Sequence, residues 1–391
     1  MHRGETCRFE SKDYTDELTG RTVRRLTDPN YRSQHQYFYC NMWTQDSRRV
    51  VIASNRGDGF YRLYLVDVET GEGVCLTDSD RLVRYMAELA HDDSHLLYPS
   101  GRELRRLSLP GLEDVLVYRQ SEPWTGGGMY YSPTRDHSRV VMVEMHKDDR
   151  IQAKTGWDAF APQFHARPRC RLVELDCETG TGDVIHEAEC WLGHPNYRPD
   201  GRTIMFCHEG PWNLVDSRIW FIAPDGSNLR EGRRRDPAHP AGEETGESWG
   251  HEFWLADSSC AAYVFFPRAY GEKATLRLLD PDTLEEEVLM PVSHYSHFIF
   301  DRGATMIVGD GNAPQSDALF IVDVASRTEH VLCRHGSSMK PYVDEKTGAV
   351  NTQMVHPHPC FSPDSRRVIF SSDRDGGPAV YVISEVPEFG G

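Results

Sequence analysis

WTQDSRRVVIAS at residues 43–54 and FSPDSRRVIFSS at residues 361–372 are two copies of one pattern, found near opposite ends of a chain of 391 residues. In each copy a strand ends, an aspartate and a small residue form a turn, and an apolar strand follows. Both copies continue through a glycine-rich turn into a second apolar strand, LYLVD at 63–67 and VYVI at 380–383. Such internal repetition indicates a repeat architecture in which each copy is one structural unit.

Weaker copies of the same turn lie between these two, each before an apolar strand. They are centred on Asp93, Asp136, Asp200, Asp257 and Asp301. Counting the turns gives seven units of roughly 50–56 residues, the length of a four-stranded propeller blade. The sequence therefore predicts an all-β chain folded as a seven-bladed β-propeller.

The two ends of the chain are predicted to meet in one blade. VRRLTD at 23–28 resembles VCLTD at 74–78, the fourth strand of the first unit, yet it precedes that unit, and the last unit stops at its third strand near Ile383. The N-terminal strand should therefore complete the last blade and close the ring, which removes an exposed sheet edge. We expect a single domain over residues 1–391, with an insertion of about 146–169 in the third blade that forms a loop and a helical turn.

The composition excludes several classes of partner. A formal net charge of −17 is a poor match for nucleic acid or an anionic membrane, because both bind basic faces. No stretch approaches 18 consecutive apolar residues and no secretory apolar segment opens the chain, so we expect a cytoplasmic protein. The ten cysteines form no CxxC pair, which predicts free thiols. The oligomeric state stays open.

The sharpest polar cluster is QMVHPHP at residues 353–359. If this segment is a strand, His356 and His358 point to the same face, and the prolines between them stiffen the backbone. Two imidazoles side by side are half of a metal site, to which Gln353 could add an oxygen. The alternative is a pair of hydrogen-bonded histidines at a channel mouth.

The corresponding starts of the preceding units also carry histidines: His194, His251, and His294 or His297. Repeat symmetry would place these first strands around one end of the channel, which strengthens the metal hypothesis. Three histidines and an amide oxygen suit a first-row divalent ion such as Mn²⁺, Fe²⁺ or Zn²⁺.

His208 and Arg218 are two further candidates for the site. His208 follows the second strand of its blade and is either a channel-side residue or part of a capped turn. Arg218 starts a third strand, and its alternative role is a salt bridge with Asp216 or Glu209. No GxSxG motif is present, which disfavours a serine hydrolase.

Six motifs together resemble the oligogalacturonate lyases, polysaccharide lyases with a seven-bladed propeller, and the resemblance covers nearly the whole chain. They are WLGHP at 191–195, CHEGP at 207–211, HEFW at 251–254, VGDG at 308–311, HPHP at 356–359 and EVPE at 385–388.

The resemblance implies a divalent metal, usually Mn²⁺, held by three histidines and a glutamine: His297, His356, His358 and Gln353. Counting back without gaps from the VGDG motif favours His297 over His294. The resemblance also implies that His251 is the catalytic base and Arg218 its partner. His194, His208 and Arg218 are candidates for substrate contact, and the role of His35 stays open.

The implied function is β-elimination from digalacturonate, its unsaturated form and other short oligogalacturonides, giving 4-deoxy-5-ketouronate monomers in pectin degradation. The proton next to a uronate carboxylate is weakly acidic, so its removal needs positive charge at the carboxylate and a base with a pKa near 7. The alternatives are a non-catalytic propeller that binds sugars or proteins, with structural histidines, and a metal-dependent hydrolase.

Overall fold

The computed structural model describes residues 1–78, 85–154, 157–237, 241–242, 247–267, 273–293, 295–311, 316–344, 348–387 and 389. Within these residues the strands form seven sheets of four or five strands and one small hairpin, Tyr342–Val343 with Val350–Asn351. This is the sheet content of the predicted seven-bladed β-propeller. We number the sheets as blades 1 to 7 in chain order, with blade 7 containing the last strand.

The chain divides into two compact units. The first contains Met1–Gly101, Arg105–Val115 and His294–Gly391, and the second contains Arg102–Leu104 and Leu116–Ser293. Blades 1, 6 and 7 and most of blade 2 belong to the first unit, and blades 3, 4 and 5 belong to the second. The prediction of a single domain over 1–391 stays a prediction.

The first unit is built from these strands. Blade 1 has Thr6–Arg8, Ser33–His35, Arg49–Ser54, Arg62–Asp67 and Glu72–Cys75; blade 2 has Glu88–Leu89, His95–Ser100, Glu103–Ser108 and Asp114–Arg119. Blade 6 has Tyr295–Phe300, Met306–Gly311, Ala318–Asp323 and Thr328–Arg334. Blade 7 has Lys12–Thr15, Thr22–Arg25, Cys360–Phe361, Val368–Ser372 and Ala379–Ile383.

The second unit is built in the same way. Blade 3 has Tyr130–Pro133, Arg139–Met145, Arg169–Asp176 and Gly182–Glu189; blade 4 has Leu192–Tyr197, Ile204–His208, Ile219–Ile222 and Arg230–Glu231. Blade 5 has Ser248–Trp254, Ala261–Phe266, Ala274–Leu279 and Glu286–Val292. Two 3-10 turns, Lys147–Asp149 and Trp157–Ala159, and one short α-helix, Phe160–His165, lie between the second and third strands of blade 3, at the position of the predicted insertion.

The predicted closure between the ends of the chain is confirmed. Thr22–Arg25 pairs antiparallel with Ala379–Ile383, in the register Val23 with Ile383. Lys12–Thr15 adds a fifth strand outside it, and Thr6–Arg8 adds a fifth strand to blade 1. The sequence did not predict these outer strands, which are short and have no copy elsewhere in the repeat.

The repeated turn explains why the two ends of the sequence look alike. In blade 1 the Thr44 hydroxyl and the Arg48 N–H both donate to Asp46. In blade 7 the Ser362 hydroxyl and the Arg366 N–H donate to the corresponding aspartate in the same way. Such side-chain bonds to the local backbone fix a tight turn, so each blade that repeats the turn needs the hydroxyl and the aspartate.

Apolar side chains of neighbouring blades form the core of each unit. In the first unit, Val308 and Ile321 of blade 6 pack with Phe370 and Tyr381 of blade 7. Other clusters join blade 7 to blade 1 and blade 1 to blade 2. In the second unit the clusters join blade 3 to blade 4 and blade 4 to blade 5. Each buried side chain of this size contributes about 1.5–3 kcal/mol, so the packing between neighbouring blades is a main source of the stability of each unit.

No described helix is long and apolar enough to cross a membrane. No disulfide joins any of the ten cysteines, all of which lie within the described residues. The expectation of free thiols is therefore confirmed.

Candidate active site

Three histidines of the first unit come together. His297 lies on the first strand of blade 6, and His356 and His358 lie just before the first strand of blade 7. One ring nitrogen from each lies within 4.8 Å of the others. The ring centroids are 4.1 Å apart for His297 and His358, and 5.5 Å apart for His297 and His356. Imidazole nitrogens that converge in this way can share one metal ion.

Gln353 joins this cluster through a turn. The His356 N–H donates to the Gln353 carbonyl over 3.1 Å, and Gln353 Oε1 lies 3.0 Å from His358 Nε2. The interpretation of this segment as a strand is wrong, because the strand covers only Cys360–Phe361 and His358 has a left-handed backbone with φ of 45°. The turn, rather than strand alternation, brings His356 and His358 to one place.

One carboxylate lies behind the cluster. Asp310 of blade 6 is fully buried and accepts hydrogen bonds from His297 and His358. Burial alone would raise the pKa of Asp310, but the attraction of His297 and its hydrogen bonds outweigh burial and lower the pKa. Sequence reasoning did not select this residue, although an aspartate inside the apolar strand MIVGDG was a signal.

The cluster has the chemistry of a metal site. Burial lowers the pKa of His356 to about 4, so that its ring is neutral near pH 7 and carries a lone pair. Its Nδ1 is buried and has no hydrogen-bond partner among the described residues. A buried polar atom of this kind is costly unless something binds it. Imidazole nitrogens with an amide oxygen alongside fit a divalent first-row ion.

His35 supports the same segment from blade 1. It is buried, its Nε2 lies 2.9 Å from the carbonyl oxygen of Pro357, and its ring is 6.5 Å from that of His358. Burial lowers the pKa of His35 to about 4. A neutral His35 can donate to this carbonyl and so anchor the residue between His356 and His358. His294 lies outside the described residues.

The second unit contains a different buried polar group, which we call the arginine group: Arg218, Glu209 and Glu252. Arg218 Nη2 lies 2.8 Å from Glu209 Oε1 and 3.1 Å from Glu252 Oε1. Arg218 is only 3% exposed, and its Nη1 has no hydrogen-bond partner among the described residues. Burial opposes its charge, but the two carboxylates outweigh burial and raise the pKa of Arg218 well above its ordinary value. The salt bridge with Glu209, which was the alternative role for Arg218, is therefore present. Nη1 is still a donor without a partner among the described residues.

His194 and His251 are set by the same backbone device in blades 4 and 5. Each has a left-handed backbone, with φ of 44° and 57°, at an irregularity in the pairing of its first strand. A glycine precedes each histidine, and an added Cβ would lie 2.4 Å from the Glu209 side chain at Gly193 and 2.7 Å from Trp212 at Gly250. Bulges of this kind turn a side chain out of the strand alternation, which spacing alone cannot predict.

The structure brings His194 and Arg218 to one carboxylate. His194 Nε2 lies 3.4 Å from the Glu209 oxygen that Arg218 binds. His251 and Arg218 contact the same indole, since their distances to the ring centre of Trp212 are 4.8 Å and 5.6 Å. Arg218 therefore contacts both Glu209, which lies beside His194, and Trp212, which lies beside His251.

His208 lies on the other face of its strand. Its ring stacks on Trp220 at 4.5 Å, whereas the thiol of the neighbouring Cys207 donates to Glu252. Successive side chains of a strand point to opposite faces. Burial lowers the pKa of His208 to about 4. The backbone N–H of His208 donates to the carbonyl of Arg218 over 2.9 Å, but its ring lies on the opposite face of the strand from Cys207, and its role in substrate contact stays a prediction.

The blade 3 insertion is docked beside the arginine group. The ring of Phe160 lies 5.1 Å from that of Trp191, and Phe164 packs against Gly210. The carbonyl of Trp191 accepts the N–H of Glu209. The short helix thus packs directly on the segment that carries one carboxylate of the group.

A family model described as oligogalacturonate lyase matches residues 1–389. The chain belongs to the oligogalacturonate lyase family. Two relatives from this family are an oligogalacturonate lyase of Dickeya dadantii, 34% identical, and an oligogalacturonide lyase of Pectobacterium atrosepticum, 33% identical; the alignments cover 99% of each chain. Family members are lyases that act on oligogalacturonides, as the sequence motifs predicted.

The solved structures agree with this family. An oligogalacturonate lyase in complex with manganese superposes with a TM-score of 0.91, at 34% identity and over 99% of both chains. The fold prediction of a seven-bladed β-propeller is confirmed. The alternative of a non-catalytic binding propeller is not favoured.

Proposed function

We propose that this chain cleaves digalacturonate, its 4,5-unsaturated form and other short oligogalacturonides by metal-dependent β-elimination, releasing 4-deoxy-5-ketouronate monomers in pectin degradation. The observation that carries the proposal is the convergence of ring nitrogens from His297, His356 and His358 within 4.8 Å, with Gln353 beside them. Family membership supports the substrate class.

We propose Mn²⁺ as the ion, held by His297, His356, His358 and Gln353. The related solved structure in complex with manganese supports this choice. When bound, a divalent ion supplies Lewis-acid stabilisation of the negative charge that develops on the uronate carboxylate.

His251 would act as the base. It takes the proton from the carbon next to the carboxylate, the bond between C4 and the glycosidic oxygen breaks, and a double bond forms between C4 and C5. The departing oxygen leaves with the electron pair and takes up a proton. The backbone strain at His251 supports this role, because a left-handed histidine at a bulge is held by its surroundings for a particular side-chain direction.

Arg218 would bind the substrate carboxylate by charge and hydrogen bonding. Its raised pKa makes it a poor proton donor, which favours the electrostatic role. Its Nη1 is buried and has no hydrogen-bond partner among the residues that the structure describes, which supports a donor kept for an anionic group. Glu209 and Glu252 fix the guanidinium while leaving that donor unused.

We propose that His194 and His208 contact the substrate, and the observed contacts favour this role more for His194 than for His208. The contact of His194 with Glu209 beside Arg218 favours it, whereas the stacking of His208 on Trp220 favours a structural role. We also propose that the enzyme works in the cytoplasm, where ten cysteines without a disulfide would stay reduced.

The test is the chemical identity of the products. Metal-free enzyme and enzyme reloaded with Mn²⁺ are incubated with digalacturonate, and the products are followed by mass spectrometry. We expect turnover only after reloading, giving one galacturonate and one dehydrated keto-uronate. Two galacturonates would mean hydrolysis, and no cleavage in either sample would favour a binding protein.

The base assignment is tested with His251→Ala. The variant should lose turnover and keep wild-type Mn²⁺ affinity. Turnover at the wild-type rate would exclude His251 as the base.

A further inference from the structure

Asp310 is a charged group in an apolar place. It lies on the second strand of blade 6, Met306–Gly311, and is 0% exposed. A buried carboxylate is costly unless hydrogen bonds compensate for the lost water. The hydrogen bonds that Asp310 accepts therefore indicate which groups it holds in place.

These bonds reach two separate segments of the candidate metal cluster. Asp310 Oδ1 accepts the backbone N–H of His297 over 2.5 Å, and Oδ2 lies 3.0 Å from His297 Nδ1. Oδ2 also accepts the backbone N–H of His358 over 3.2 Å. One carboxylate thus holds a histidine of blade 6 and a histidine of the segment leading into blade 7.

A pairing irregularity in blade 6 makes this arrangement possible. Tyr295 pairs with Gly311 and Phe298 pairs with Gly309, so two residues of the first strand stand opposite Asp310 alone. His297 is one of these two. The bulge turns both its backbone N–H and its ring toward the same carboxylate.

The consequence for His297 concerns its tautomer. A carboxylate beside Nδ1 selects the form in which Nδ1 carries the hydrogen, which leaves the lone pair on Nε2. The consequence for His358 concerns its backbone. Its φ of 45° is an uncommon conformation for a residue other than glycine, and a hydrogen bond to its N–H helps to hold it.

We propose that Asp310 is the positioning residue of the metal centre: it orients His297 so that Nε2 faces the ion, and it fixes the segment that presents His358. This inference rests on the proposed function for the identity of the ion. It assigns Asp310 no contact with the metal or the substrate.

The test is Asp310→Asn, which keeps the size of the side chain and removes one of its two acceptor oxygens. An amide cannot accept all three hydrogen bonds, so we expect Mn²⁺ affinity, measured by calorimetry, to fall about 10- to 100-fold, as for other partners of metal-binding histidines. The matched control is Asp301→Asn. Asp301 is buried in the same blade and accepts the N–H groups of Thr305 and Met306, so its variant should lose stability and keep the wild-type affinity.

A second readout needs neither metal nor activity. Nitrogen chemical shifts of metal-free wild-type protein should show His297 with its hydrogen on Nδ1, and Asp310→Asn should lose this preference. An Nε2–H tautomer in the wild type would overturn the inference even if the variant does not fold. Equal losses of affinity in the Asp310 and Asp301 variants would also overturn it, because the effect would then be general destabilisation. Failure of the wild type to bind Mn²⁺ would instead contradict the proposed function, and the tautomer would still decide the role of Asp310.

Discussion

The histidine cluster of the first unit and the arginine group of the second unit are both buried and polar, but they are built on opposite principles. The cluster is a set of rings beside one carboxylate, Asp310, and one ring nitrogen of His356 has no hydrogen-bond partner in the part of the chain that the structure describes. The arginine group is one cation between two carboxylates, Glu209 and Glu252. The first offers lone pairs to a cation, and the second offers a fixed cation to an anion.

This difference predicts different costs of mutation. Burial keeps the ring of His356 neutral, so its removal leaves no buried charge, and metal binding should be lost at a smaller cost in the free energy of unfolding. Removing one partner of a buried ion pair leaves an uncompensated charge and costs about 3–5 kcal/mol. Substitutions in the arginine group must therefore keep its charge if function is to be separated from folding.

The largest effect is expected for His358→Ala. Turnover of digalacturonate should fall by at least about 1,000-fold, because Lewis-acid stabilisation contributes several kcal/mol. Calorimetry should show the loss of Mn²⁺ binding at the same time. His330→Ala is the control, since His330 is exposed on the last strand of the neighbouring blade 6. Full turnover by the His358 variant would remove the cluster from the mechanism.

The next effect is expected for Arg218→Lys, which keeps the charge and loses the planar fork of donors. We expect kcat/KM for digalacturonate to fall about 100- to 1,000-fold, the usual loss for a group that stabilises developing charge. Mn²⁺ affinity should stay at the wild-type value. Arg230→Lys, in the same blade, is the control and should leave kcat/KM and Mn²⁺ affinity at the wild-type values. A parallel loss of Mn²⁺ affinity would contradict the assignment of metal binding to the histidine cluster alone.

A smaller effect concerns stability. Mn²⁺ at about 100 times its Kd should raise the free energy of unfolding by about 2.7 kcal/mol, because it binds only the folded chain. Thermal unfolding should show this rise in the wild type and in Arg218→Lys, but not in His358→Ala. Equal protection of all three proteins would place the ion elsewhere.

The smallest effect is the pH dependence of the stability that the arginine group contributes. Burial opposes the charge of Glu252, but Arg218 and His194 outweigh burial and lower its pKa below the ordinary value of 4.5. The unfolded chain then binds more protons than the folded chain, so the stability that Glu252 contributes is present above pH 4.5 and is lost as the pH falls through the folded pKa. The advantage of the wild type over Glu252→Gln in denaturant unfolding should therefore shrink between pH 6 and about pH 3.5. An unchanged difference would mean that the carboxylate contributes no stability through its charge.

The sequence predicted the fold well because local chemistry repeats with the blades. The turn at Asp46 depends on the carboxylate of its aspartate, so the aspartate recurs with the turn. VRRLTD at 23–28 resembles the fourth strand of the first unit because it contains the fourth strand of blade 7. The strand Thr6–Arg8 was missed because it is a fifth strand of blade 1 and has no copy elsewhere in the repeat.

The candidate site was predicted less completely, for reasons of backbone geometry. The proximity of His356 and His358 was expected from strand alternation, but a turn and a left-handed residue produce it. The pairing of Arg218 with Glu252 could not be predicted, because the bulge beside Glu252 shifts the pairing of its strand and spacing does not reveal bulges. Asp310 was missed because its partners are 13 and 48 residues away in the chain.

In the proposed mechanism the histidine cluster is the metal centre of this lyase. Anomalous diffraction from crystals grown with Mn²⁺ tests this assignment, since the signal locates the ion itself. We expect one strong peak within bonding distance of nitrogens of His297, His356 and His358 and of the Gln353 oxygen. A strong peak elsewhere, with none at these four residues, would contradict it.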